Sequence, residues 1–326
     1  MERREICLFY FSISLWFNIY GYMQNKESWR EEVIIMRQNI RLLSTDRVTE
    51  IAVAATEALL LEVAATPKPG LVDRHNSGSH TDMDITTFET SAIALSPYFY
   101  RFALYGAESR DREPEDLLTS ARTIGIHAEQ AMFLATNGVN THKGAIFSGG
   151  ILCGAYGYLG EAANDILLLQ DICRRIAHPV LEDLEKINPA SATAGEKLFL
   201  DHGVLGIRGE AAQGFPTVFQ VAAPAMRRFL QQGYSRNDAG ILTLIQIMAE
   251  LPDTNVMHRS SYEEAVDLQK RMKNLAESGL ENLPYLEILE ELDREFIHRN
   301  ISPGGCADLL AMTYFVLSME EYLQLQ

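Results

Sequence analysis

Apolar side chains return every three or four residues through almost all of residues 46–323, and nowhere do they alternate along a stretch bounded by hairpin turns. Such spacing puts one apolar stripe on each helix and leaves no pleated face to pair. The chain is therefore expected to fold by packing helix on helix. Residues 46–65 start behind Thr45 and Asp46, which have the character of a helix start. Thr86 and Glu89 have capping-box spacing for a helix reaching about 106, with Pro97 expected to kink or divide it. Pro114 fits the first turn of a helix over 114–135. The run 143–160 is so rich in Gly and Ala that it reads only as a tightly packed, buried helix. Further helices are expected over 165–186, 191–200, 211–232, 235–250, 260–279, 284–299 and 304–323. The fold class is all-α: a single multi-helix globular bundle, with no internal repeat, low-complexity tract or linker.

Composition narrows the function. The 326 residues carry 28 basic and 44 acidic side chains, a net charge of −16. That field disfavours nucleic acid and anionic membranes as partners, and a polyanionic ligand would need local cations or a metal ion to hold it. The cysteines Cys7, Cys153, Cys173 and Cys306 form no CxxC pair and no zinc spacing. They read as reduced thiols of a cytoplasmic protein. Residues 6–23 carry no charge over 18 positions, near the lower limit for crossing a bilayer. Ser12, Ser14 and Asn18 dilute that run, Glu2 and Glu5 offset Arg3 and Arg4, and no small-residue cleavage pattern follows. Residues 1–45 thus read as an N-terminal extension that the functional protein can dispense with, Met23 and Met36 being alternative starts. Residues 46–326 are the expected catalytic domain, and membrane contact is not expected.

Five segments between helices are denser in Gly, Pro, His, Asn, Asp, Lys and Arg than a bundle needs. They are TPKPGLVDRHNSGSHTDMD (66–84), GVNTHKGAIF (138–147), HGVLGIRGEAAQGFP (202–216), DTNVMHR (253–259) and RNISPGGCADLLA (299–311). Convergent polar loops beside helix ends are where sites form. In the first, Asp73, Asp82 and Asp84 alternate with Lys68, Arg74, His75 and His80, a mixture suited to a hard cation bridging to phosphate oxygens. Asp84 also reads as a dipole partner of the following helix, and the two histidines as loop residues bonded to backbone. In the second, Asn140, Thr141, His142 and Lys143 stand before a helix start and could cradle phosphate, or simply cap the helix. Arg208 in the third could clamp a phosphate or pair with Glu210. Asp253, Asn255 and Arg259 offer metal, ribose and phosphate partners, or a turn after Pro252. Ser302, Gly304 and Gly305 have the build of an anion-receiving helix start, with Asp308 one turn further on.

No Walker A loop, dinucleotide fingerprint, HExxH, GxSxG elbow or EF-hand loop occurs. What remains is positioning, metal electrostatics and acid–base work by Asp or His.

TPKPGLVDRHNSGSHTDMD, GVNTHKGAIFSGG, GIRGEAAQGFP, DTNV and RNISPGGCADLL, in that order, resemble the triphosphoribosyl-dephospho-coenzyme A synthase family over roughly 46–320. One departure is Ser260-Ser261 after the DTNV motif, where glycine is expected. The resemblance implies an all-helical transferase that joins ATP and 3′-dephospho-CoA to give 2′-(5″-triphosphoribosyl)-3′-dephospho-CoA, releasing adenine. That product is the precursor of the citrate lyase acyl-carrier prosthetic group; a close relative serves malonate decarboxylase. The product would pass to a transferase that loads the acyl-carrier protein. The α-linked product implies direct displacement at the anomeric carbon, with a base on the acceptor face and a proton donor near adenine. Implied catalytic candidates are Asp84, His80 and His142. Lys68, Arg74, His75, Asn140, Thr141, Lys143, Arg208, Glu210, Asn255, Arg259, Ser302, Gly304 and Gly305 would bind substrate. Asp73, Asp82, Asp253 and Asp308 would hold magnesium. The competing readings are a metal-dependent glycohydrolase or nucleotidase, with water as acceptor, and a nucleotide-sensing protein without turnover.

Overall fold

The computed structural model describes residues 46–184 and 186–324. The expected extension, including the apolar run 6–23, lies outside them. Among the described residues there is no strand, and no helix is long and apolar enough to cross a membrane.

Helix α1 (Arg47–Ala64) starts where Asp46 accepts the Val48 N–H at 3.1 Å. It is buried along nearly its whole length. Helix α2 (Ile85–Glu108) packs on α1, on α3 (Leu117–Ala135) and on α4 (Lys143–Leu159). The last helix, α14 (Gly304–Gln324), packs on α1 and α4. The Gly/Ala-rich run forms the buried helix that its composition demands. A Cβ on Gly157 would stand 2.0 Å from the Ala103 carbonyl oxygen, and one on Gly106 would stand 2.1 Å from that of Gly154. The α2 and α4 backbones therefore touch, and an added methyl group at either glycine would push them apart. Phe99, Phe102 and Phe315 fill the space on either side. Each such ring contributes about 1.5–3 kcal/mol by leaving water.

Three expected helices differ in their ends. The capping box belongs to Asp84 and Thr87, not to Thr86 and Glu89: Asp84 Oδ1 accepts the Thr87 N–H at 2.9 Å, and Thr87 Oγ1 accepts the Asp84 N–H at 3.2 Å. Glu89, released from capping, is buried. Pro97 does not divide α2, which runs through it. The expected helix 165–186 breaks at His178–Pro179 into α5 (Ile166–Ala177) and α6 (Val180–Leu184), since the proline cannot donate to the preceding turn. The expected helix 211–232 breaks because Gly214 (φ +80°) and Phe215 (φ +56°) leave the helical region. It follows α7 (Ala194–His202) as α8 (Gly206–Ala212), a π-turn at Thr217–Ala222 and α9 (Ala223–Gln231). The remaining elements are α10 (Arg236–Glu250), α11 (Thr254–Arg259), α12 (Tyr262–Glu277) and α13 (Tyr285–His298).

Candidate active site at the first turn of the last helix

The segment 66–84 leaves α1 and lies against the approach to α14. Its anchor is Asp73, which is buried. Oδ2 accepts from Thr66 Oγ1 at 2.8 Å and from the Lys68 N–H at 3.0 Å. Oδ1 accepts the N–H groups of His75 and Asn76 at 2.6 and 3.0 Å. A carboxylate offers about four acceptor positions, so all are taken by the loop itself. Asp293 on α13 holds the same loop through the Gly70 N–H at 2.9 Å and Asn76 Nδ2 at 2.8 Å. Gly70 has φ +71°, and a Cβ there would lie 2.2 Å from the Ile301 carbonyl oxygen, so only glycine fits. Ser79 Oγ donates to that oxygen at 2.6 Å, and His80 Nε2 meets Ser302 Oγ at 2.9 Å. Arg259 closes the clasp by donating to Ser79 O at 2.5 Å and Asn300 O at 3.2 Å.

Asp253 joins a second segment to the same turn. Its Oδ1 caps α11 by accepting the N–H groups of Asn255 and Val256 at 2.7 and 3.2 Å. Its Oδ2 accepts the Cys306 N–H of α14 at 2.7 Å. A Cβ on Gly305 would sit 2.9 Å from that oxygen, and one on Gly304 would sit 2.7 Å from Asn255 Nδ2. Gly206 brings the 202–216 segment alongside, 3.0 Å from Thr254 Cγ2 as measured to a Cβ placed on it. One turn along α14, Asp308 reaches the start of α4. Its Oδ2 lies 2.0 Å from where a Gly144 Cβ would be, and the Ala145 N–H bonds to it. Four of the five polar segments thus meet at the first turns of α14 or the residues leading into it, and the 202–216 segment lies against Thr254 beside them.

Beneath them is a group of ionisable side chains, buried except for the half-buried Asp308. Lys68 is 1% exposed, and its Nζ donates to the Glu62 carbonyl oxygen at 2.7 Å and to the Glu62 carboxylate. Burial raises the Glu62 pKa, with the Lys68 charge and hydrogen bond opposing. Burial also raises Asp253, against the N–H donors of Cys306, Val256 and Asn255. Asp308 is pushed well above the ordinary carboxylate range by desolvation and then by Glu62 and Asp253, with the Ala145 N–H opposing. The charges of Glu62 and Asp253 thus add to the effect of burial on Asp308. His142 is buried, its Nδ1 2.8 Å from Ser91 Oγ and its ring edge-on to Phe88 at 5.0 Å. Burial, then the Lys68 charge, lowers its pKa to about 3, so the imidazole is neutral at neutral pH.

Other candidates lie elsewhere or are already engaged. Arg74 and His75 are exposed, Arg74 donating to Asn237 Oδ1 at 2.9 Å. Asn140 caps α4 by accepting the Lys143 N–H at 3.2 Å, and the exposed Lys143 pairs with Glu129 at 3.0 Å. Arg208 pairs with Glu196 at 3.2 Å, not with Glu210, which instead accepts the Thr217 N–H at 2.7 Å. Thr141 donates to Ser91 at 2.7 Å. Asn255 is exposed. Asp82 is also exposed, 3.7 Å from His80 Nδ1. The exposed Asp84 is engaged by Thr87, whose N–H lowers its pKa and makes it a weak base. Burial first, then Arg259, lowers the His80 pKa.

One sequence expectation changes here. Lys68 is a buried partner of Glu62, not an open phosphate ligand, because its ammonium is spent on Glu62. Of the four aspartates named for magnesium, Asp73 is saturated by its loop, Asp253 holds three N–H groups and Asp82 stands at the surface beside His80. Among the described residues no three His, Cys, Asp or Glu side chains are grouped to hold a metal ion. Sequence reasoning missed Glu62, Ser91 and Asp293. For Glu62 the signal was present: a carboxylate within an otherwise apolar helical run. Ser91 and Asp293 carry no local signal, since their partners are 51 and 223 residues away in the chain.

Comparison with known proteins agrees with the motif resemblance. The family model for CitG, ATP:dephospho-CoA triphosphoribosyl transferase, matches residues 48–326. A 2-(5″-triphosphoribosyl)-3′-dephosphocoenzyme-A synthase of Pectobacterium atrosepticum is 42% identical, covering 88% of this chain and 93% of its own. Probable synthases of the same name from Pectobacterium carotovorum and Photobacterium profundum are 42% and 40% identical, over 83% and 81% of this chain and 89% and 85% of theirs. No solved structure matches. With four of its five motif segments meeting at one helix start and the match running from residue 48 to the end, the chain belongs to the ATP:dephospho-CoA triphosphoribosyl transferase family.

Proposed function

We infer that this chain transfers the triphosphoribosyl unit of ATP to dephospho-CoA and releases adenine. It is a transferase of coenzyme A chemistry, and its family makes the citrate lyase prosthetic-group precursor. The observation that carries the reading is the family match over residues 48–326, which spans every polar segment adjoining α14. In the reaction the acceptor 2′-hydroxyl forms a bond to C1′ of the ATP ribose while the C1′–N9 bond breaks. Adenine takes the electron pair, and the hydroxyl proton ends on the base, so the products balance.

The buried carboxyls suit that chemistry. Positive charge grows on the ribose as the base departs, and carboxylates beside it stabilise the transition state. Asp308, with its raised affinity for protons, and His80, bonded to Ser302, are proposed to exchange the proton. Asp84 is the weakest of the base candidates because Thr87 already holds it. Magnesium is proposed to enter as the counter-ion of the ATP triphosphate. Work in the cytoplasm, with the product passed to a transferase loading an acyl-carrier protein, completes the reading. The buried Cys153, Cys173 and Cys306, each a free thiol, accord with a reducing compartment.

The test is mass spectrometry of purified protein with ATP, magnesium and dephospho-CoA. The expected result is triphosphoribosyl-dephospho-CoA and free adenine in equal amounts, and none of either when dephospho-CoA is omitted. Adenine release without an acceptor would instead make the protein a glycohydrolase, and ADP with phosphate would make it a nucleotidase.

A further inference from the structure

The second polar segment contains an arrangement that the binding roles of its residues do not explain. Thr141 Oγ1 donates to Ser91 Oγ at 2.7 Å, and Ser91 Oγ lies 2.8 Å from His142 Nδ1. Ser91 is fully buried in the second turn of α2. Two other buried helical hydroxyls turn back on their own helix: Thr56 donates to the Ala52 carbonyl oxygen at 2.8 Å, and Thr313 to that of Leu309 at 2.7 Å. Ser91 instead reaches across to another segment. With Thr141 donating to its oxygen, the Ser91 hydroxyl has a proton free to give to Nδ1. In that arrangement Nδ1 is the acceptor nitrogen and the ring proton sits on Nε2.

That Nε2 is buried and has no hydrogen-bond partner. Leaving a buried donor unpaired costs about 1–3 kcal/mol, a cost that a core histidine would ordinarily avoid. The ring is fixed on its other sides by the edge-on contact with Phe88 and by the start of α4, where Ala145 bonds Asp308. Lys68, the cation whose field reaches His142, is spent on Glu62, and Asp308 and Glu62 are close enough to perturb each other. Lys68 therefore offers no free charge to a phosphate at that spot. A neutral acceptor with a lone pair in the plane of a ring suits it.

We propose that Ser91 is a positioning residue for the transferase reaction, its hydroxyl relay from Thr141 holding His142 so that Nε2–H is a neutral donor to a ring nitrogen of the departing adenine. The proposal rests on the transferase reading given above. The histidine keeps its proton throughout and stabilises the electron pair arriving on the base by hydrogen bonding alone. Ser91 touches no substrate and acts only through the imidazole.

Nitrogen-15 NMR of histidine-labelled native protein reads the tautomer without any substitution and without turnover. The expected spectrum places the His142 proton on Nε2, with Nδ1 unprotonated. A protonated Nδ1 would overturn the relay. In turnover, Ser91→Ala should lower kcat at least 10-fold, with KM for dephospho-CoA unchanged. His142→Gln, which restores an N–H donor, should keep at least 10-fold more activity than His142→Phe, which fills the space without one. Full kcat in Ser91→Ala, or equal activity in the two His142 variants, would also overturn it. Native protein that yields ADP and phosphate while showing the Nε2–H tautomer would remove the transferase reading and the adenine partner, but would leave the relay standing.

Discussion

One carboxylate, Asp253, serves two helices: Oδ1 caps α11 at Asn255 and Val256, while Oδ2 accepts the Cys306 N–H of α14 at 2.7 Å. The pairing of Asp253 with Cys306 sets where the DTNV segment sits against the Gly304-Gly305 turn. Asp253→Asn keeps one carbonyl oxygen and turns an amide N–H₂ toward a backbone N–H. The variant should lose about 2–3 kcal/mol of stability by urea denaturation, as a buried donor pair left facing each other would. Native stability of this variant would show that Asp253 does not join the two helices.

Gly144 tests the contact between α4 and Asp308. A methyl group there would fall 2.0 Å from Asp308 Oδ2, so Gly144→Ala must displace the carboxyl from the Ala145 N–H. Asp308 is a side chain that can swing away, so the fold should survive with circular dichroism unchanged. Turnover should drop at least ~10-fold, the loss of about 1.4 kcal/mol of transition-state stabilisation. Unaltered kcat in a folded Gly144→Ala protein would place Asp308 outside the chemistry.

Asp73 separates a metal ligand from a loop anchor. With its carboxylate accepting from Thr66, Lys68, His75 and Asn76, Asp73→Asn should release the 66–84 loop and reduce activity. Raising magnesium should not restore the rate, and proteolysis should cut within the loop faster than in the native protein. Recovery of activity with added magnesium would return Asp73 to the metal.

Lys68 and Glu62 form a buried pair, and removing one member strands the other. Lys68→Met should cost about 3–5 kcal/mol by chemical denaturation, and Lys68→Met with Glu62→Gln markedly less. Additive losses in the double variant would deny the pairing.

Glu295 supplies a pH test. Hydrogen bonding to Arg271, against desolvation and with Arg299 assisting, lowers its pKa from 4.5 to about 2. A depressed folded pKa means that the folded state binds protons less readily than the unfolded chain. The stabilisation is therefore present above about pH 4.5 and is lost as pH falls toward about 2. Melting temperatures of native protein should fall across that window more steeply than those of Glu295→Gln. Parallel curves would remove Glu295 from the acid response.

The extension is tested by deletion. Because the family match begins at residue 48, protein lacking residues 1–35 should be soluble and turn over at the native rate. Loss of most activity in a folded truncated protein would make the extension part of the enzyme.

Helical periodicity by itself determined the fold class, because a repeat of three to four residues follows from the geometry of each local segment and needs no distant partner. The five polar segments were equally legible, since loops that cost more than a bundle requires stand out in composition. The buried helix expected over 143–160 was legible for the same reason: so many small residues pack well only where backbones touch. Only the tertiary structure decided which charges are spent. Lys68 reads in sequence as a free cation and Asp73 as a free anion, yet one is closed on Glu62 and the other on four donors of its own loop. The relay from Thr141 through Ser91 to His142 was out of reach altogether. It joins residues 50 and 51 positions apart, and nothing local to Ser91 distinguishes it from any other serine on a helix. Burial and hydrogen-bond partners are properties of packing, so the chemistry of these side chains is settled only when α2, α4 and α14 come together.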